Sequence, residues 1–353
     1  MTDVPGLDRD GLTRWLAREH PSLAPALGVG LTARVIAGGR SNLTYRVDGA
    51  ARPLVLRRPP LGHVLSSAHD MRREHRVISA LGPSPVPVPA TVDVVDDTAT
   101  GEVTGTTFLV MERVEGEVLS RPEQNAAYTP AGLHRLGTTL ATTLADLHTV
   151  APEDVGLDDF GRPRGYLDRQ LTTWRRQYDA SRSRDLPALD ALQDRLGAHV
   201  PRTSRHGIVH GDYRLDNALV AGTPDHPTVA AVLDWEMATL GDPLVDLGLL
   251  GLYWEIRDLT PHETVVSAVV ADAGYPTFDE VVDTYAARAG TAVPDLWWYR
   301  AFAAYKLAVI LEGIHFRHRA GETVGDGFDT IGDLVAPLAD DGLARASARP
   351  RSA

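Results

Sequence analysis

His210, Gly211 and Asp212 stand together, and Asn217 follows Asp212 by five residues. That spacing puts a carboxylate and an amide in one tight loop, where the first can face a reacting hydroxyl and the second a metal. Asp234 comes after the apolar run AAVL, so it ends a strand and can serve the same ion. Oxygen ligands of this kind suit Mg²⁺, a hard cation. A phosphate cradle and a cation on the phosphates would complete the parts that phosphoryl transfer needs. GGRSN (38–42) is the candidate cradle, with Gly39, Arg40, Ser41 and Asn42 as nucleotide-binding residues. Alone, such a run reads as a hairpin turn, because Gly and Asn suit positive φ. Its place ahead of LVLR and Glu74 favours the cradle.

These residues need strands that end at the chemistry and helices that brace it. Residues 31–58 read as the strands LTARVIA, LTYRV and PLVLRR, turned by glycine. Residues 66–81 read as one amphipathic helix, with Ser66 or Ser67 as N-cap, Met71, Val77, Ile78 and Leu81 on one face and Gly82 as the stop. SPVPVP cannot be helical, and TVDVVDD and TTFLVMERV follow as a strand pair across the turn TATGE. Beyond Gly116 long helical patterns take over, as in 130–149 with its leucines on neighbouring turns. Two short β-branched segments, GIVHGDYRLDNALV and VAAVLDWE, carry the polar loop among them.

Composition narrows the functions available. At 353 residues and 43% hydrophobic content the chain can build two cores. With no cysteine it has neither disulfides nor thiolate metal sites, so any metal must sit on oxygen or imidazole. The net charge of −12 argues against a nucleic-acid binder. No apolar run has the length of a membrane span, and the polar, acidic start MTDVPGLDRDGL is unlike a secretory signal, so a cytoplasmic location is expected. Against this acidic background, 161–184 holds seven arginines and two aspartates. The tail 341–353 (DGLARASARPRSA) is small, polar and expected to be flexible.

The order HGD-x4-N, LDWE, GDPLVDLG, with GGRSN and an REH-type helix upstream, resembles the aminoglycoside phosphotransferase family over about residues 30–320. The resemblance implies an α+β, protein kinase-like bilobal fold. A small antiparallel sheet lobe (1–115) would bind nucleotide, and a larger, mainly helical lobe (116–340) would hold the catalytic loop and acceptor site. It further implies that Asp212 is the catalytic base, that Asn217 and Asp234 hold Mg²⁺, and that ATP or GTP is the phosphoryl donor to a small-molecule hydroxyl. Glu74 would be the helix carboxylate that pairs with a phosphate-binding lysine, whose place Arg57 takes here. A guanidinium can pair a carboxylate and also touch phosphate. FLVMERVEG looks like the family's interlobe linker, so the backbone of Glu112 and Val114 would meet the purine edge. VLRRPPLG, SAHDMRREHRVISAL and VGLDDFGRPRGYLDRQLTTWRRQYDASR bring the chain close to the kinase-like domain fused to acyl-CoA dehydrogenases, which implies a hydroxyacyl-CoA acceptor. The arginines of 161–184 fit an anionic acceptor, whereas a cationic antibiotic would prefer acid, and they read equally well as a solvated helix face. An aminoglycoside or macrolide phosphotransferase and a nucleotide- or acyl-CoA-binding pseudokinase are the alternatives.

Other polar residues have plainer readings. His210 reads as a structural histidine bonded to the loop. Asp242 and Asp246 read as braces of the helix that begins there. Glu236 faces metal or solvent. Glu312, His315 and His318 have zinc-like spacing, yet read as a polar helix face. Trp174, Tyr178, Trp297, Trp298 and Tyr299 read as core before acceptor pocket.

Overall fold

The computed structural model describes residues 4–36, 42–61, 70–203, 205–259, 267–321, 328 and 330–347. The chain folds as two compact units, Met1–Gly116 with Ala230–Ala238, and Glu117–Val229 with Thr239–Ala353. By sequence order 230–238 belongs to the helical lobe. The structure packs it with the first unit, because the backbone N–H of Val232 bonds Pro87 O at 2.8 Å and Asp234 meets Arg57.

In the first unit, α1 (Arg9–Glu19) precedes β1 (Thr32–Val35), β2 (Leu43–Asp48) and β3 (Leu54–Arg58). Then come α2 (Met71–Leu81), β4 (Thr91–Asp96) and β5 (Thr107–Glu112). The strands form one antiparallel sheet in the order β1-β2-β3-β5-β4. One face is sealed by α1, whose Leu12, Trp15 and Leu16 pack with Tyr45, Leu54, Leu56, Phe108 and Val110. Strand alternation then decides the fate of two consecutive arginines. Arg58 shares the α1 face with Leu54 and Leu56 and bonds the carbonyls of Gly6 and Thr104 at 2.8 and 3.0 Å. Arg57 points the other way, toward α2. That helix is capped by Asp70, which accepts from the backbone N–H groups of Arg72 and Arg73 at 3.0 and 3.1 Å, correcting the expected cap at Ser66 or Ser67, which lie outside the described residues.

The second unit starts with β6 (Glu117–Val118), α3 (Pro130–Thr149), α4 (Tyr166–Ser181) and α5 (Pro187–Gly197). β7 (Gly207–Val209), β8 (Ala218–Thr223) and β9 (His226–Val232) follow, and the last residues of β9 pass into the first unit. The chain returns as β10 (Thr239–Gly241), α6 (Leu244–Leu259), α7 (Phe278–Ala289), α8 (Trp297–Arg319) and α9 (Val335–Ser347). β7 pairs antiparallel with β10, and β6, β8 and β9 form a three-stranded sheet. The catalytic-loop candidate thus leaves β7 and ends at β8. The expected flexible tail is corrected over 341–347, which continues α9. Gly342 fits against Leu192, Ala346 is buried, and Arg345 pairs with Asp341 and Glu255, so the small residues serve packing there. As expected of the aromatics, Trp174, Tyr178, Trp298 and Tyr299 are core residues.

Candidate active site

Arg57 and Glu74 meet because β3 turns its alternate side chains toward α2. Arg57 Nη1 donates to Glu74 Oε1 at 2.5 Å and its Nη2 to Asp234 Oδ1 at 3.2 Å. The Glu74 side chain is fully buried, and burial pushes its carboxyl up, a shift that the guanidinium offsets only in part. Burial works against the arginine cation too, but Glu74 and Asp234 outweigh it and raise its pKa. The guanidinium keeps its proton, as arginine does in proteins. Asp234 has φ +66°, the one positive φ of a non-glycine among the described residues. Such a conformation costs free energy and persists where the surroundings fix it. Here the Arg57 bond and the packing of Trp235 do so, the indole Nε1 donating to Val232 O at 3.0 Å. Two residues on, Glu236 accepts from Asn42 Nδ2 at 2.9 Å, so Asn42 is tied to the loop that carries Asp234. Gly39, Arg40 and Ser41 lie outside the described residues. Glu112 uses its N–H on Ala90 O, while Val114, just past β5, has no bond from its N–H to the described residues.

In the second unit the loop after β7 is held from beneath. Asp246, fully buried in the first turn of α6, accepts from the backbone N–H groups of His210 at 2.7 Å and Gly211 at 2.8 Å. Burial alone would raise the Asp246 carboxyl, but the His148 ring and the N–H of Gly211 hold it below the usual range. His148 has Tyr285 Oη 2.9 Å from Nδ1 and the Asp246 carboxylate 3.3 Å from Nε2, which assigns the ring proton to Nε2. Gly211 has φ +87°, which a side chain would strain. His210 Nδ1 accepts from the N–H of Asp212 at 3.2 Å, and Asn217 Nδ2 donates to Asp212 O and Oδ2 at 2.8 and 2.9 Å. The Asn217 amide nitrogen is thereby committed to Asp212, which leaves its Oδ1 as the atom a cation would take. Asp212 itself keeps 28% of its side chain exposed. Arg214 stacks over Tyr253 and pairs with Asp216 at 3.0 Å, with Asp212 Oδ2 3.6 Å from its Nε. A carboxylate left open on a restrained backbone suits a reaction that removes a proton from an incoming group.

The profile of the phosphotransferase enzyme family matches residues 32–302. The chain belongs to that family. It is 33% identical to acyl-CoA dehydrogenase family member 11 of Gallus gallus over 348 residues, which are 95% of this chain and 43% of that protein. The chain spans under half the length of the curated relatives it matches. A solved structure from Ralstonia eutropha, described as a candidate aminoglycoside phosphotransferase, superposes with a TM-score of 0.82 at 30% identity, covering 98% of this chain and 100% of that one. The GDP complex of aminoglycoside 2′-phosphotransferase-IIIa shares the fold, with a TM-score of 0.63 at 15% identity, covering 95% of this chain and 99% of that one. The α+β, protein kinase-like fold of the phosphotransferases is therefore the fold of this chain. No described helix is long and apolar enough to cross a membrane.

Several phosphotransferase features went unread in the sequence. Asp246 braces the loop of Asp212 and not the start of α6 alone; Asp242 does the capping, accepting from the N–H of Leu244 at 3.1 Å. The spacing of GDPLVDLG carried the signal, since it sets a second carboxylate one turn beyond the cap. Glu312 is no zinc ligand. It is buried and accepts from Ser183 Oγ at 2.8 Å and Arg184 Nη2 at 2.9 Å. The arginine-rich stretch is largely self-paired in the same way, with Arg175 on Asp179 and Asp190, Arg182 on Asp185 and Asp190, and Arg169 on the carbonyls of Arg162 and Arg164.

Proposed function

We propose that this protein is a small-molecule kinase that moves the γ-phosphoryl group of ATP or GTP to a hydroxyl, with Asp212 as base. The observation that carries the reading is the state of Asp212: its loop is fixed through Asp246 and Asn217 while its carboxylate stays open. Asp212 orients the acceptor hydroxyl and takes its proton as the new O–P bond forms and the bond from the γ-phosphorus to the bridging oxygen breaks, with the nucleoside diphosphate leaving. Asn217 Oδ1 and the Asp234 carboxylate would hold Mg²⁺, which when bound would supply charge neutralisation on the phosphates. Among the described residues no three acidic or histidine side chains form a metal cage. That donor set fits Mg²⁺, which keeps few protein ligands and fills its shell with water and phosphate oxygens. Arg57 and the GGRSN backbone (Gly39, Arg40, Ser41, Asn42) neutralise the phosphates, Glu74 aims Arg57, and the backbone of Glu112 and Val114 receives the base. Residues 1–115 serve the nucleotide and 116–340 the acceptor.

For the acceptor we infer a hydroxyacyl-CoA or a related anionic metabolite. The name of the Gallus gallus relative supports an acyl-CoA context. A cleft of about 780 Å³ in the second unit is lined by Arg164, Arg202, Arg205 and His206 together with Asp168 and Asp242. One observation favours a pseudokinase instead: Arg57 already bonds Asp234, a proposed metal ligand. Nucleotide consumption with Mg²⁺ and ATP or GTP, against hydroxyacyl-CoAs, aminoglycosides and macrolides, separates the readings, with Asp212→Ala as blank. Acyl-CoA turnover lost in the variant supports the proposal, antibiotic turnover overturns the acceptor, and binding without turnover favours the pseudokinase.

A further inference from the structure

Of the chain's 35 lysine and arginine residues one alone is a lysine, Lys306 on α8. Its Nζ donates to the carbonyl of Gly211 at 2.7 Å, and the ring of Trp174 lies 5.5 Å from the ammonium. No carboxylate among the described residues forms an ion pair with it. Burial lowers its pKa, an effect that Asp212 and Asp246 oppose through space. Beside it a cavity of about 20 Å³, lined by Tyr166, Gln170, Gly211, Asp246 and other residues, has room for a water molecule. Burying an ammonium with no paired carboxylate is costly, and an apolar side chain would pack the same space without that cost.

Elsewhere this chain meets every need for a cation with arginine, including at Arg57. At position 306 a guanidinium would bring a plane and five donors to one carbonyl in a confined space, where lysine brings a compact charge on a flexible stem. The carbonyl it reaches belongs to the residue with most backbone freedom in the loop. Gly211 has its N–H held by Asp246 from α6 and its C=O held by Lys306 from α8. The peptide plane leading into Asp212 is thus held at its carbonyl by Lys306 and at its N–H by His210 Nδ1, and the plane before it by Asp246.

We propose that Lys306 is a positioning residue for Asp212, fixing the Gly211–Asp212 peptide through the Gly211 carbonyl and keeping a positive charge beside the loop. This rests on the phosphotransfer reading above. It is tested with Lys306→Met, Lys306→Gln and Lys306→Arg in the full chain, using steady-state nucleotide turnover, including slow transfer to water, and hydrogen exchange of a peptide covering 208–216. Lys306→Met is expected to lower kcat about 100-fold, the scale of a small misplacement of a reacting group, with KM for nucleotide little changed and loop exchange faster. Lys306→Arg should restore part of kcat, and Lys306→Gln should slow loop exchange toward wild type while leaving kcat low. Wild-type kcat and wild-type loop exchange in Lys306→Met would overturn the proposal. If Lys306→Met does not fold, unchanged exchange and kcat in Lys306→Gln overturn it equally. A wild-type protein that turns nothing over sinks the kinase reading instead, while exchange still reports whether Lys306 restrains the loop.

Discussion

Two aspartates in loops, Asp97 in the first unit and Asp212 in the second, make opposite use of the same side chain. Asp97 follows β4 and is 2% exposed. Its oxygens accept from Thr100 Oγ1 and from the backbone N–H groups of Glu102, Val103, Thr104 and Gly105, the last three at 2.9, 2.6 and 2.9 Å. Every direction around that carboxylate is taken. Asp212 accepts from one side-chain amide at hydrogen-bond distance and is 28% exposed. In Asp212 the restraint falls on the backbone, through His210, Gly211 and Asp246, and the carboxylate stays open. A saturated carboxylate shapes a loop, whereas an unsaturated one on a restrained backbone can meet a substrate.

The comparison is sharpened most by Asp212→Ala. Turnover should fall about 10³- to 10⁴-fold, as for loss of a general base, while the melting temperature stays close to wild type. A large loss of stability would place Asp212 with Asp97. Asp246→Ala tests the intermediate case, because this carboxylate is saturated yet holds the loop of Asp212. Removing it leaves buried N–H groups without an acceptor, so denaturant unfolding should report a loss of about 3–5 kcal/mol, with turnover reduced in the protein that folds. Asp97→Ala should cost about 3 kcal/mol by the same measurement and leave kcat per folded molecule unchanged. Altered kcat there would break the comparison.

A smaller effect is expected from pH. The bonds from Thr100 and the backbone overcome the burial of Asp97 and hold its carboxyl at about 2, against 3.8 in the unfolded chain. The unfolded chain binds the proton more tightly, so this contribution is fully present above pH 4 and is lost as pH falls through 2. Its size is about 2 kcal/mol. Unfolding curves between pH 2 and 5 should show that slope in the wild type and a shallower one in Asp97→Asn.

Much of the first unit was legible, because LTYRV and PLVLRR carry a strand signal bounded by glycine turns, while the meeting of Arg57 with Glu74 came from the family resemblance. The helix α1 was passed over, although Asp8, Leu12, Trp15 and Leu16 carry a cap and one apolar stripe. At the candidate site the residues named from motif were those with recurrent spacing, Asp212, Asn217 and Asp234. Lys306 escaped because its partner is a backbone carbonyl 95 positions away, for which sequence offers no pattern, whereas Asp246 was named as a helix brace and its hold on the Asp212 loop was missed. Glu312, read as part of a polar helix face despite its ligand-like spacing, is instead buried, because Ser183 and Arg184, over 120 residues earlier, claim its carboxylate.

The first unit is also discontinuous, with 230–238 returning to it after the chain has begun the second. On the ribosome this imposes an order of events. Residues 1–116 emerge with Arg57 and Glu74 able to pair, but Asp234 and the strand end that bonds Pro87 are synthesised about 120 residues later, on the order of ten seconds at usual rates of elongation. Until then the nascent sheet lacks its last segment and Arg57 lacks its second carboxylate. A fragment released at residue 116 would carry the same deficit permanently.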